Sequence, residues 1–187
     1  AVETLMEFLD TVCSEFIEKC AEIAQEKPGA IQMMERALNF VTKYRALGMG
    51  VLGWHSYLQK NMIPFESLQA KMLNKVIFKE IAERAKPVAE KNGNATAMAI
   101  APTKSSSFIL GNVSQGIEPE QSNYYVQDLA KIKVTNRNKY LEELLESKGK
   151  NTSEVWISIA KHDGSVQHLE FLDENEKNVF KTFFEIS

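Results

Sequence analysis

With 187 residues, 44% of them hydrophobic and 25% charged, the chain can bury a sizeable core and reads as one domain, residues 1–187. A net charge of −3 and a pI near 5.7 lack the basic footprint of a nucleic-acid binder, so no nucleic-acid partner is expected. No apolar run is long enough to span a bilayer and no signal peptide opens the chain, which argues against a membrane role and points to the cytoplasm.

Apolar residues at Leu5, Phe8, Leu9, Val12, Cys13, Phe16, Ile17, Cys20 and Ile23 keep helical spacing and predict an amphipathic helix from Glu3 to Gln25. Within it, seven residues at ~1.5 Å rise set Cys13 and Cys20 roughly 10 Å apart, too far for a disulfide, so both read as packed thiols. The run Glu26, Lys27, Pro28, Gly29 breaks this helix, and a second follows on Ile31, Met34, Ala37, Leu38, Phe40 and Val41. Arg45 to Gly53 holds glycines in G-x-G-x-x-G spacing, but a helix precedes them where a dinucleotide fingerprint needs a strand. The better reading is a buried strand, Leu47 to Leu52, whose glycines admit a neighbouring backbone.

Trp54 to Gln59 predicts a helical turn, and Pro64 sits where a new helix would start. The stripe Leu68, Met72, Leu73, Val76, Ile77, Ile81, Ala82 and Ala85 predicts a third long helix that Pro87 should end or kink. Ala97 to Ala101 then reads as a short buried strand, with a helical piece as the alternative, and Pro102 stops it. Thr103, Lys104, Ser105, Ser106 and Ser107 place hydroxyls and an ammonium before Phe108, Ile109 and Leu110, which could begin a short helix. The positive end of that helix suits a phosphate; the plainer alternative is a Ser-rich N-cap facing water.

Downstream, Tyr124, Tyr125 and Val126 fit either an extended or a helical piece. Asn138 is placed to cap a helix from Lys139 to Ser147, with Gly149 beyond its end, and Thr152 or Ser153 to cap another holding Val155, Trp156 and Ile159. Asp163 and Gly164 mark a turn, Val166 to Leu172 alternates weakly like a strand, and Asp173 opens a last helix with Val179, Phe180 and Phe183. His55, His162 and His168 have no metal-ligand spacing, and no G-x-S-x-G elbow or Walker loop occurs. Glu142, Glu143 and Glu146 read as a solvated helix face, and Tyr124 with Tyr125 as packing. Ala1 stands where a methionine would start, and Phe183, Phe184 and Ile186 form an apolar end. Both ends look cut from something longer, though a processed start and a docked C-terminal helix would look the same.

RALGMGVLGWHSYL at Arg45 to Leu58, AIAPTKSSSFILGNVSQGIEP at Ala99 to Pro119, SNYYVQDL at Ser122 to Leu129, then DGSVQHLEFL and VFKTFFEIS, resemble consecutive motifs of the class I ribonucleotide reductase large (alpha) subunit, of a phage-like bacterial type. The resemblance implies a helix-rich α/β fold, part of the ten-stranded α/β barrel, with few short strands and several amphipathic helices. It further implies that Pro102, Thr103, Lys104, Ser105 and Ser106 bind the diphosphate of a nucleoside diphosphate substrate. The family's thiyl-radical cysteine, its redox cysteine pair, its radical-transfer tyrosines and its C-terminal thiols match no position here, and the link Asn92 to Thr96 is shorter than usual. The chain is therefore expected to carry no cofactor and to be inactive alone. Expected partners are the remaining part of the large subunit and the radical-generating small subunit; a truncated, self-associating homo-oligomer or interaction module is the alternative. Part of a barrel leaves strand edges and apolar surface open unless another chain, self-association or rearranged helices cover them.

Overall fold

The computed structural model describes residues 1–27, 29–129 and 132–187, with side chains described outside 127–133. Pro28, part of the expected helix break, lies outside the described residues. In chain order the elements are α1 Val2–Glu26, α2 Ile31–Tyr44, α3 Trp54–Lys60, α4 Leu68–Asn92, α5 Lys104–Ile109, β1 Tyr124–Leu129, β2 Ile132–Arg137, α6 Lys139–Ser147, α7 Ser153–Lys161 and α8 Glu174–Val179, closed by a 3-10 turn at Phe183–Glu185. The helix-rich α/β expectation holds. Internal contacts divide the chain into two compact units, residues 1–50 with 74–101, and residues 51–73 with 102–187.

The first unit is built on α1, α2 and most of α4. Met6, Leu47, Met49, Ala85, Val88 and Ala89 form its core, with Leu9, Cys13 and Ile81 packed against it. Cys13 is half-buried and Cys20 buried, both as free thiols. Asp10 on α1 accepts from Arg45 Nε at 2.9 Å and pairs with its Nη2 at 2.8 Å, while Asn94 Nδ2 donates to the same carboxylate at 2.7 Å and to the Arg45 carbonyl at 3.0 Å. That cluster ties three chain segments together, and the Arg45 hydrogen bond holds the Asp10 carboxyl below its ordinary range. Leu5, Phe8 and Val12, three and four residues apart on α1, stay exposed, as do Met33 and Phe40 on α2. The apolar surface expected of a partial barrel is present.

Two expectations for this unit need correction. Neither Leu47 to Leu52 nor Ala97 to Ala101 forms a full buried strand: the two runs meet at a single parallel bridge, Met49 with Met98. Leu47 N and Met49 N donate to Thr96 O and Ala97 O, each at 3.0 Å, and Ala99 N returns a bond to Met49 O at 3.0 Å. Leu47 and Met49 are buried while Ala99, Ile100 and Ala101 are exposed, since the pairing ends at the Met49–Met98 bridge. The glycines do allow close approach: a Cβ on Gly50 would stand 2.6 Å from the Ala99 carbonyl oxygen. Of the two outcomes expected at Pro87, an end is excluded: α4 runs on to Asn92, and Val88 and Ala89 beyond the proline are core residues.

In the second unit, Leu141, Leu145, Trp156, Ile159, Val166, Leu169, Leu172, Val179 and Phe180 form the core. Helices α6, α7 and α8 begin where side chains satisfy free N–H groups. Asn138 accepts from Tyr140 N and Leu141 N, Thr152 rather than Ser153 accepts from Val155 N, and Asp173 forms a capping box with Glu176. The third long helix starts at Leu68 rather than near Pro64, with Ser67 Oγ accepting from Ala70 N at 3.1 Å. Tyr124 to Val126 is extended and belongs to β1, which pairs antiparallel with β2, a strand the sequence reading left unassigned. Val166 to Leu172 is not a strand. Val166, Leu169 and Leu172 recur every three residues and all bury, which turns with 3.0 and 3.2 Å hydrogen bonds deliver and an alternating strand cannot. The last helix stops at Val179, leaving Phe183 half exposed in the closing turn.

Gly50→Ala should destabilise the fold by about 1–3 kcal/mol in chemical denaturation, since the Ala99 backbone must shift to admit the methyl. Gly29→Ala, with nothing within 4 Å of the added Cβ, serves as the near-neutral comparison.

Candidate functional site: a loop and cleft beside helix α5

The helix expected to begin near Phe108 begins at Lys104, so the serines lie inside its first turns rather than in a preceding loop. Thr103 sits at its start in the left-handed region, φ 50°, and does not cap it. Its hydroxyl instead accepts from Gly116 N at 2.8 Å, fastening the following loop to the helix entrance. Ser107 is buried and donates to Lys104 O at 3.1 Å, whereas Pro102, Lys104, Ser105 and Ser106 are exposed. The start of α5 therefore has no side-chain cap and carries an exposed ammonium and two exposed serine side chains.

Residues 112–116 return against α3. Ser56 N donates to Ser114 Oγ at 3.1 Å and Ser114 N to Ser56 Oγ at 2.8 Å, a reciprocal buried pair, while Gly53 N donates to Ser114 O at 2.8 Å. A cleft of about 530 Å³ opens between α5, this return loop and β1, a volume typical of small-molecule sites. Lys104, Ser107, Phe108, Asn112, Glu120 and Tyr125 are among its walls. A second chamber of about 20 Å³ shares Asn112, Glu120 and Tyr125 with the cleft and adds Gln59 and Asn138.

Glu120 is the unusual group here. Its backbone N–H donates to His55 Nδ1 at 2.9 Å and its carbonyl accepts from Phe183 N at 2.8 Å, which anchors the main chain of a residue that lines both cavities. Burial pushes the carboxyl up to about 7. Burial and the neighbouring Glu120 raise the Tyr125 hydroxyl as well. His55, fully buried, is driven down to about 4 by burial, only partly offset by the Val179 backbone. It is therefore a neutral ring whose Nδ1 accepts, with the proton on Nε2.

The ribonucleotide reductase barrel-domain family model matches residues 1–90 and 86–187, two stretches that meet inside α4, shortly before the short Asn92 to Thr96 link. The chain belongs to the ribonucleotide reductase barrel-domain family. It is 39% identical to the ribonucleoside-diphosphate reductase large subunit of Invertebrate iridescent virus 6 over all of its own length and 20% of that protein's. The large subunit of Invertebrate iridescent virus 3 is also 39% identical, over 96% of this chain and 30% of that one. The solved Actinobacillus ureae class Id ribonucleotide reductase alpha subunit is 48% identical, with a TM-score of 0.82, over 100% of this chain and 35% of that one. This reductase segment thus spans between a fifth and about a third of these relatives, and its fold is part of the alpha-subunit barrel.

Of the residues singled out from the reductase motif, Lys104 alone lines the cleft; Thr103 frames the loop, and Pro102, Ser105 and Ser106 lie on the exposed side. Tyr124 packs on Trp156 with ring centroids 6.1 Å apart, as a packing residue should, but Tyr125 lines the cleft. His162 and His168 stack at 3.7 Å in another part of the unit, and among the described residues no group of three His, Cys, Asp or Glu side chains converges on a metal position. Glu120 and Gln59 escaped the sequence reading because nothing local marks them: one follows a proline in a polar loop, the other ends an ordinary helix.

Because the folded chain holds the Glu120 proton up to about pH 7 while the unfolded chain releases it in the ordinary carboxylate range, stability should fall as pH rises through that window. Glu120→Gln should therefore match the parent in thermal unfolding at pH 4 and exceed it at pH 8, by up to about 3 kcal/mol.

Proposed function

We propose that this chain supplies the substrate-diphosphate loop, Pro102, Thr103, Lys104, Ser105 and Ser106, of a ribonucleoside-diphosphate reductase large subunit of phage-like bacterial type. The supporting observation is the exposed start of α5, which has no side-chain cap and carries Lys104, Ser105 and Ser106, while the Thr103 hydroxyl is used to hold the return loop. Such an arrangement offers a diphosphate positive charge and several donors without first breaking a protein contact. The 48% identity to a bacterial alpha subunit supports the bacterial type.

In this reading the chain forms part of one catalytic barrel domain working in the cytoplasm, and the intact enzyme reduces ribonucleotides to deoxyribonucleotides for DNA replication. The remaining part of the large subunit brings the catalytic thiols, and the small subunit brings the radical. The exposed stripe Leu5, Phe8 and Val12 favours a covering polypeptide. It equally favours the second reading, a self-associating module without nucleotide affinity.

Calorimetry with a nucleoside diphosphate should show binding that Lys104→Ala weakens by about fivefold to tenfold, as loss of an exposed charge contact of roughly 1 kcal/mol implies. Ser105→Ala should weaken it further. No heat with any nucleoside diphosphate, with the missing large-subunit portion present or absent, would remove the diphosphate reading. A stable oligomer in sedimentation without nucleotide affinity would establish the second.

A further inference from the structure

We propose that Asn92 is a site of spontaneous deamidation, and that the carboxylate it becomes breaks the tie between α1 and α4 in the first unit. The inference concerns the end of α4 and does not rest on the diphosphate reading.

The chemistry needs an asparagine amide and, next along the chain, a main-chain nitrogen free to attack it. Glycine, with no Cβ to crowd the approach, supplies the most reactive such nitrogen. Of the asparagines in the sequence, Asn92 alone precedes a glycine. It is the half-buried last residue of α4, and Gly93 after it is exposed at φ +71°, with nothing within 4 Å of where a Cβ would stand. The helix closes through Asn94 N, which donates to Ala89 O at 2.8 Å, whereas Gly93 N reaches Glu90 O only at 3.4 Å. This is a Schellman closure with its inner bond stretched, so the N–H that must attack is the loosest of the cap. The step from Asp163 to Gly164 provides the contrast. Gly164 is buried and its N donates to Ile159 O at 2.9 Å, which withholds that nitrogen from the neighbouring carboxyl.

The reaction is redox-neutral and its co-reactant is water. Gly93 N gives up its proton and bonds to Asn92 Cγ; the Cγ–Nδ2 bond breaks, and Nδ2 takes a proton and leaves as ammonia. Water then opens the five-membered succinimide at one of its two carbonyls. One opening yields aspartate, and the other yields isoaspartate, whose main chain runs through the former side chain and gains a methylene.

The contacts of that amide give the reaction its consequence. Asn92 Nδ2 donates to Glu7 Oε2 at 3.1 Å and Lys91 Nζ pairs with Glu7 Oε1 at 2.9 Å, so one carboxylate on α1 holds the end of α4. The hydrogen bonds from Lys91 and Asn92 keep the Glu7 carboxyl below its ordinary range, and a new carboxylate at position 92 therefore meets a charged one at neutral pH. Two residues on, Asn94 donates to Asp10 and to the Arg45 carbonyl, and the extra methylene of isoaspartate shifts the main chain that carries this second tie.

The test incubates the whole chain in warm, mildly alkaline buffer and follows every asparagine-containing peptide by mass spectrometry, with isoaspartyl methyltransferase labelling as a second readout. The mass gain of amide turned acid should accumulate at Asn92 before any other asparagine, faster as pH rises, with isoaspartate exceeding aspartate and none forming at Asp163. Asn92→Gln, which must close a slower six-membered ring, should remove the modification. Asn92→Asp should lower the thermal midpoint by about 2–4 °C at low salt and by less at high salt, and should cost little in a Glu7→Gln background. An unmodified Asn92 after prolonged incubation, earlier deamidation of another asparagine, equal isoaspartate at Asp163, or an Asn92→Asp loss unchanged by Glu7→Gln would each overturn the proposal.

Discussion

The pair of the buried Asn123 and the half-buried Asn138 is the constraint on which the second unit depends. Asn123 Nδ2 donates to the carbonyls of Gly164 and Phe180 at 2.9 and 2.7 Å, and its Oδ1 accepts from Asn138 Nδ2 at 2.9 Å. Asn138 in turn donates to Gln59 and caps α6, while its backbone N donates to Asn123 O at 2.9 Å. Two amides thereby join the start of β1, the entry to α6, the turn after α7, the end of α8 and the end of α3. A buried amide left without its partners costs far more than one hydrogen bond contributes, so these elements are held to one arrangement. Gly164 belongs to the same constraint: its φ is +84° and a Cβ there would meet Ser122 Oγ, so only glycine lets the turn approach Asn123.

That frame sets the geometry of the cleft. Tyr125 follows Asn123 by two residues on β1, and Gln59 is fixed by Asn138, so two walls of the cavities are positioned by the amide pair. The other side is positioned by Thr103 and the reciprocal serines Ser56 and Ser114, which use hydroxyls to clamp backbone N–H groups. Side chains spent on holding backbone leave the exposed Lys104, Ser105 and Ser106 free for solvent or ligand. The Glu120 main chain is anchored at both N–H and C=O, and desolvation in the surrounding packing raises its carboxyl.

The long helices, the caps at Asn138 and Asp173, and the glycine approach at Gly50 were legible because each is written in local spacing or in residue type. Thr152 as a cap was legible to within one residue. The misses have a common cause. Ala97 to Ala101 looks like a strand, yet a strand is defined by its neighbours, and the described segments beside it supply a single bridge. Val166 to Leu172 looks alternating, but its buried residues recur every three positions once the core is known. Pro87 stands inside α4, so of an end or a kink only the end is excluded, and the core residues Val88 and Ala89 follow it. The start of α5 at Lys104 depends on a left-handed Thr103, which the sequence offers no reason to expect.

By itself the sequence determined the helix-rich class, the family, and the segment Pro102 to Ser106 as the place to look, because period, capping chemistry and ordered motifs survive in one dimension. Only the tertiary structure decided which side of that segment carries a cavity. It also decided that Lys104 alone of the motif lines that cavity, and that Glu120 retains a proton near neutrality. Burial belongs to the whole surrounding fold, so no stretch of residues can encode it locally.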